Sequence, residues 1–138
     1  MRIFQTLKTS VSALTAERLR LDLIASNLAN LNTTRTASGE PYRRLVPVFS
    51  PRGPANGRNG PGQGVQVTAV LQDPSEFPLR HDPGHPDADA DGYVRLPNVD
   101  LVAEMVDLMA ATRAYEANAT VATASRALAQ RALEIGRP

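Results

Sequence analysis

The helix-breaking residues are confined to the middle of the chain, and this distribution constrains the fold more than any other feature. Ten of the 11 prolines and eight of the 9 glycines lie between positions 39 and 97 of the 138 residues. Because proline and glycine interrupt helices, each flank is free to form one long helix and the middle is not. We therefore predict a mainly α fold with a small β element. The long N- and C-terminal helices are expected to pair as a coiled coil around a short, irregular, β-containing middle region.

The chain divides into three segments. Residues 1–36 form the N-terminal helix and an Asn/Thr-rich exit, residues 37–97 a Pro/Gly-rich β element, and residues 98–138 the C-terminal helix. In the middle segment, residues 42–50 and 64–72 have the apolar pattern of strands, and Pro47 predicts an edge position for the first of them. Residues 51–63 have the composition of a flexible loop.

The first flank carries a heptad seam. Alternating steps of three and four residues from Phe4 to Leu28 reach apolar residues at seven of eight positions, with Arg18 as the interruption. A seam of this kind is typical of a coiled-coil helix.

The second flank is helical by the same criterion. Its apolar positions advance by threes and fours from Val99 to Ile135, and it contains eleven alanines. Asn98 is a plausible N-cap, and Gly136 suits the C-terminal end. A second apolar stripe lies beside the first, so one partner helix cannot cover the whole apolar surface. The residues of this second stripe are Leu101, Met105, Leu108 and Tyr115.

The composition excludes several functional classes. The chain has no cysteine, which rules out disulfides, thiol nucleophiles and Cys-ligated metals, and aromatic residues make up only 4%. No apolar run approaches the roughly 20 residues of a membrane span, and the N-terminus lacks the apolar core of a cleaved signal. No nucleophile elbow or phosphate-binding glycine pattern is present. We expect no catalytic, cofactor or metal site, and no enzymatic activity.

One stretch keeps an alternative open. Asp87, Asp89, Asp91 and Gly92 reproduce the opening of an EF-hand loop, so a calcium-binding module is the competing interpretation. The twelfth loop position is Asn98 where calcium needs a bidentate glutamate. An Asx-rich turn, whose carboxylates bond their own backbone or face solvent, is favoured instead.

Charge is segregated along the chain. Residues 1–72 carry +6, residues 73–107 carry −7 and residues 108–138 carry +2, for a total of +1. The basic run consists of Arg35, Arg43, Arg44, Arg52 and Arg58. Without interleaved aromatics it is not expected to bind nucleic acid. It is expected to pair with the acidic segment, within the chain or in a neighbour.

These residues together resemble the rod and hook axial proteins of the bacterial flagellum. Residues 12–36 are similar to the family signature N-N-x-A-N-x-x-T, and the matching residues are Asn27, Ala29, Asn30 and Thr33, with Ser26 replacing the first Asn. Segments 41–44, 82–100 and 104–120 look like those of a proximal-rod member. The motif residues in the last two segments are Asp82, Pro83, His85, Asp89, Gly92, Tyr93, Tyr115 and Asn118.

The resemblance implies a structural subunit of the rod in the flagellar basal body, the drive shaft that transmits torque across the periplasm. It implies export through the flagellar type III apparatus and helical assembly with copies of itself, with FlgB, FlgF and FlgG, and with the rod-to-ring adaptor FliE. The helix residues expected to pack between subunits are Leu7, Val11, Leu14, Leu21, Leu28, Val106, Val121 and Leu128. We expect the isolated chain to be largely unstructured or molten until neighbours cover these faces.

Overall fold

Two long helices, one before and one after it in the chain, flank a small β region. The computed structural model describes residues 2–53 and 64–135. The elements are α1 (Arg2–Ala29), β1 (Leu45–Pro51), β2 (Val65–Gln72), β3 (Leu79–His81), β4 (Tyr93–Arg95) and α2 (Leu101–Ile135). The predicted mainly α fold with a small β element is confirmed. Of the loop predicted at 51–63, Pro51 belongs to β1 and residues 54–63 lie outside the described residues, as does Gly136.

The two helices pack against each other in antiparallel directions. Asn27 near the end of α1 contacts Glu104 near the start of α2, while the earlier Arg20 contacts the later Asp107. On α2 the buried residues recur at heptad spacing, at Glu104, Ala111 and Ser125. Because alanine and serine dominate this buried stripe, the helix axes can approach closely.

The helix ends depend on polar side chains. At the start of α2, the Ala103 amide donates to Asp100 Oδ1 at 2.9 Å, so Asp100 caps the helix. The prediction that Asn98 caps this helix was wrong. The Asn98 side chain instead accepts a hydrogen bond from the Arg44 amide and donates to the carbonyl of Asp73, which ties the chain before α2 to the ends of β1 and β2.

Strands β1 and β2 form an antiparallel sheet that lies against α1. Among the residues that the structure describes, this sheet has two strands, so Pro47 lies at an edge, as predicted. The chain comes close to α1 at Gly64, just before β2, where φ is +121° and a Cβ atom would collide with Ser12 Oγ. The same Ser12 Oγ accepts a 3.0 Å hydrogen bond from the Val65 amide. Glycine is therefore required where β2 meets α1.

Strands β3 and β4 form a second antiparallel pair that closes the loop between Asp82 and Gly92. The Asp82 amide donates to the carbonyl of Gly92 at 2.8 Å. Gly92 has φ +81°, and a Cβ atom there would press on Pro83 and His81. The side chain of Val94 in β4 is completely buried, which anchors the hairpin to the rest of the chain.

Much of the large apolar surface of α2 is uncovered. Val102, Val106 and Leu128 are 71%, 59% and 56% exposed. As far as the structure describes them, neither helix has a stretch that is both long and apolar enough to cross a lipid bilayer. The exposed apolar residues thus mark a surface that another protein could cover.

Candidate assembly interface

A partly buried polar cluster joins both helices to the sheet. It consists of Asn27 on α1, Tyr42 and Arg44 before β1, and Glu104 on α2, and we call it the Asn27 cluster. Asn27 Oδ1 accepts hydrogen bonds from the Leu45 amide and the Tyr42 hydroxyl, both at 3.0 Å. Asn27 Nδ2 donates to the Leu45 carbonyl at 3.0 Å and to Glu104 Oε2 at 3.2 Å. The carboxamide of one asparagine therefore sets the position of three segments of the chain.

Arg44 compensates the buried charge of Glu104, which is fully inaccessible to solvent. Its Nε donates to Glu104 Oε1, and its Nη2 donates to Asp107 Oδ2 at 3.1 Å. Burial lowers the pKa of the Arg44 guanidinium, but the hydrogen bond to Glu104 and the charges of Glu104, Asp107 and Asp73 outweigh it. The pKa of Arg44 consequently lies above its ordinary value. Arg44 therefore stays charged in the folded chain.

Asp73, just after β2, completes this arrangement. Its Oδ1 accepts a 2.9 Å hydrogen bond from the Ser75 amide, and its Oδ2 lies 3.6 Å from Arg44 Nη1. Hydrogen bonds from the backbone and side chain of Ser75, together with the charge of Arg44, hold the pKa of Asp73 below its ordinary value, although burial opposes them. Asp73 is thus negatively charged where it faces Arg44.

The segregated charges pair within the chain, which confirms one of the two predicted arrangements. Besides Arg44, Arg35 Nη1 lies 3.6 Å from Asp87 Oδ1. Arg43 donates to the carbonyls of Asp73 and Ser75 at 2.9 Å, and its guanidinium lies 4.2 Å from the centre of the Phe77 ring. Arg58 falls outside the described residues. Three members of the basic run, Arg35, Arg43 and Arg44, therefore hold their segments against the acidic segment.

The loop between Asp82 and Gly92, which we call the aspartate loop, uses its carboxylates for turns and local pairs. Asp89 Oδ1 accepts hydrogen bonds from the amides of Asp91 and Tyr93 at 3.0 and 2.8 Å, as an Asx turn requires. Asp87 Oδ2 accepts from the Thr34 hydroxyl at 2.8 Å. Within residues 2–53 and 64–135, no group of three or more His, Asp or Glu side chains could hold a metal ion. The Asx-turn interpretation accounts for the geometry of Asp89.

The chain is similar to known proteins over nearly its whole length. It is 45% identical to flagellar basal-body rod protein FlgC of Bacillus subtilis, over 99% of this chain and 100% of that one. Identity to the FlgC proteins of Borreliella burgdorferi and Aquifex aeolicus is 45% and 38%, over at least 97% of both partners. The chain belongs to the FlgC family of flagellar basal-body rod proteins. It is thus a structural protein of the basal-body rod, where it associates with other rod components.

Two family models match the two ends of this FlgC-family chain. The model described as "Flagella basal body rod protein" covers residues 7–35, and the model described as "Flagellar basal body rod FlgEFG protein C-terminal" covers residues 90–135. The first range takes in most of α1 and its exit, and the second takes in β4 and α2. The matched ranges therefore comprise most of both helices and the residues next to them.

The family-motif residues predicted from the sequence lie in three places: the end and exit of α1, the loop between Asp82 and Gly92 with β4, and helix α2. Asn30 follows α1, where its Nδ2 donates to the Ser26 carbonyl and its Oδ1 accepts from the Thr33 hydroxyl. Ala29 is exposed at the end of α1. His85 Nδ1 accepts from the amide of Asp87 at 3.0 Å within the aspartate loop. Further members of the motif occupy this loop, its strand β4 and helix α2: Asp82, Pro83, Asp89, Gly92, Tyr93, Tyr115 and Asn118.

The predicted packing residues are divided by the structure into two sets. On α1, Leu7, Leu14, Leu21 and Leu28 are half-buried, while Val11 is 50% exposed. On α2, the three predicted residues are exposed in the single chain: Val106, Val121 and Leu128. That the three α2 residues pack between subunits therefore stays a prediction, and their exposure in the single chain is compatible with it.

Glu104 is the residue that sequence reasoning missed. It lies inside a segment that resembles the rod family but was not assigned a role, whereas Arg44 was expected to pair with the acidic segment. A glutamate among the apolar residues of a helix was the available signal, since a charged residue at such a position requires a buried partner.

Proposed function

We propose that this chain is a non-enzymatic subunit of the flagellar rod that is built into the helical drive shaft across the periplasm. The full-length similarity to FlgC rod proteins is the observation that carries the proposal. The exposed apolar side chains of α2 support it, because a helical assembly needs surfaces that stay uncovered until subunits meet.

The neighbours proposed for it are copies of itself, FlgB, FlgF, FlgG and the adaptor FliE, with delivery through the flagellar type III export apparatus. Export requires an unfolded chain, and the small buried core supports easy unfolding. Among the described residues, the buried apolar side chains are Ala16, Ile24, Val94 and Ala111.

The test is assembly in cells. A strain lacking the gene is complemented with Val106→Asp, Val121→Asp or Leu128→Asp, each of which places a charge on the exposed face of α2. We expect loss of swimming and loss of the variant from purified basal bodies, because each charge would be buried between subunits. Leu79→Asp, on a 64% exposed side chain in β3, is the matched control.

Each outcome has a clear meaning. Loss of incorporation by the α2 variants, with the control incorporated normally, supports packing through this face. Normal swimming by a strain that lacks the gene altogether would contradict the rod function itself.

A further inference from the structure

The outer edge of β1 is closed to any further strand. Leu45 turns its amide and carbonyl away from β2, and the Asn27 carboxamide binds both of them at 3.0 Å. Outward and inward residues alternate along an antiparallel strand, so Pro47, Phe49 and Pro51 also face the outer edge. Because proline has no N–H to donate, only Phe49 among these outward residues has an amide that could pair with another strand.

The outer edge of β2 has the opposite character. Val70 pairs with Pro47 and Gln72 pairs with Leu45, so Val70 and Gln72 also turn their amides and carbonyls outward. Among the residues that the structure describes, none bonds these outward groups, and the sheet has no third strand. Strand β2 contains neither proline nor a charged residue. Its edge is therefore able to pair with the main chain of another segment.

The open part of this edge lies away from α1. At the start of β2, the outward amide of Val65 is already bound by Ser12 Oγ. Residues 68–72 are all exposed, with Val70 at 42% and Leu71 at 55%. Natural proteins normally protect an exposed strand edge with proline, charge or a covering segment, and this stretch has neither proline nor charge.

The main-chain groups define what fits the edge. Outward N–H and C=O groups two residues apart are satisfied by the main chain of an extended segment, which then becomes a new strand of the sheet. Val70 and Leu71 are apolar and lie on opposite faces of β2. The added segment is therefore expected to carry apolar side chains beside them.

A second copy of this chain has no suitable strand in the part that the structure describes. Its β1 edge is closed, and β3 and β4 have three residues each, too few to cover residues 68–72. The outward amide of Tyr93 in β4 is also already bound by Asp89. Two β2 edges could meet only about a two-fold axis, which reverses one copy, whereas copies in a drive shaft with two different ends point the same way.

We propose that an extended, apolar segment of a different rod component adds to the outer edge of β2 as a third strand and pairs with the main chain of Val70 and Gln72. The inference rests on the proposed rod function and adds to it a contact surface and the kind of partner that fits it.

Photo-cross-linking in assembled basal bodies tests the pairing. Leu71 is replaced with p-benzoylphenylalanine in a chain that is the only copy in the cell, and isolated basal bodies are irradiated. Mass spectrometry then identifies the joined peptides. The same probe at Phe49, on the closed edge of β1, is the matched control. We expect an adduct between Leu71 and a segment of a different rod chain, and no adduct to that segment from Phe49.

A main-chain substitution separates strand pairing from side-chain contact. Val70→Pro removes an outward N–H and no bond to β1, as Pro47 already does on the opposite strand. Val70→Thr keeps that N–H and changes the side chain alone. We expect the Leu71 adduct per incorporated subunit to fall about tenfold with Val70→Pro, since a main-chain hydrogen bond is lost, and to persist with Val70→Thr.

Four results would overturn the proposal: no adduct from Leu71, an adduct that joins two copies of this chain, an adduct to the same segment from Phe49, or an adduct that Val70→Pro leaves unchanged. The first three are measured without the proline, so they stay decisive even where Val70→Pro does not fold. Swimming of the Leu71 probe strain is scored before irradiation. Motile cells without an adduct refute the strand pairing and leave the rod function standing.

Discussion

Asn27 and Glu104 are 77 positions apart in the chain, and Nδ2 of the first donates a 3.2 Å hydrogen bond to Oε2 of the second. Both side chains are almost completely buried. Through them, the end of α1 and the start of α2 are held in one register, and the Leu45 backbone holds β1 to the same point. The orientation of the exposed faces of the helices therefore depends on a polar contact inside the chain.

Asn27→Ala should lower the free energy of unfolding by about 1–3 kcal/mol, because it leaves the Leu45 amide and carbonyl and a Glu104 oxygen buried without this partner. The measurement is urea unfolding followed by circular dichroism, in a fixed concentration of an osmolyte that favours the folded chain. Asn32→Ala removes an exposed asparagine from the same exit and is the control. Equal unfolding midpoints for the two variants would contradict the role given to Asn27.

Arg44→Met should be more damaging, with a loss of about 3–5 kcal/mol, because Glu104 then keeps a buried charge without its compensating cation. The double variant Arg44→Met with Glu104→Met should recover most of that loss, since it removes both charges. Comparing the double variant with both single variants gives the coupling free energy between the two residues. Additive effects of the two substitutions would show that the residues do not interact in solution.

The lowered pKa of Asp73 predicts that the free energy of unfolding falls as the pH is lowered. Its pKa in the folded chain lies below the unfolded value of 3.8, so its stabilising contribution is complete above that value and is lost as the pH falls through the folded pKa. Asp73→Asn should therefore be less stable than the parent chain at neutral pH and should approach it in acid. Glu76→Gln, which removes an exposed carboxylate nearby, is the control. A stability difference that is unchanged from neutral pH to pH 2 would refute this assignment.

Gly64→Ala should weaken the contact between the sheet and α1 by about 1–3 kcal/mol, because alanine is strained at φ +121° and its Cβ would displace Ser12 Oγ. Gly53→Ala is the matched control, since a Cβ at that position meets nothing within 4 Å. The two variants are compared by the urea concentration at the midpoint of unfolding. Equal stability would mean that β2 does not dock on Ser12 as the structure has it.

The isolated chain should have low helicity in dilute buffer, and its helicity should rise with protein concentration or with added osmolyte. The reason is the large exposed apolar surface of α2 combined with a small core of mostly short side chains. Circular dichroism together with sedimentation measures both quantities on the same sample. A monomer that is fully helical and resists protease at low concentration would contradict this expectation.

Local pattern was sufficient for the two helices and for strands β1 and β2, but not for β3 and β4, whose three residues each are too few to show an alternating pattern. Apolar residues spaced three or four positions apart predicted α1 and α2 to within a few residues, and the clustered prolines and glycines predicted the β-containing middle. It was not sufficient for the start of α2, where both Asn98 and Asp100 have side chains suited to a cap. Only Asp100 was free to cap the helix, because Asn98 is engaged by Arg44 and Asp73.

By itself, the sequence determined the two helices, the family and the regions of opposite charge, because each depends on residues that are near one another in the chain. Only the tertiary structure decided which arginine neutralises which acid, that Asn27 and Glu104 are buried together, and which apolar residues remain exposed. These depend on contacts across the fold, and a polar residue becomes buried only when distant segments supply its hydrogen-bond partners.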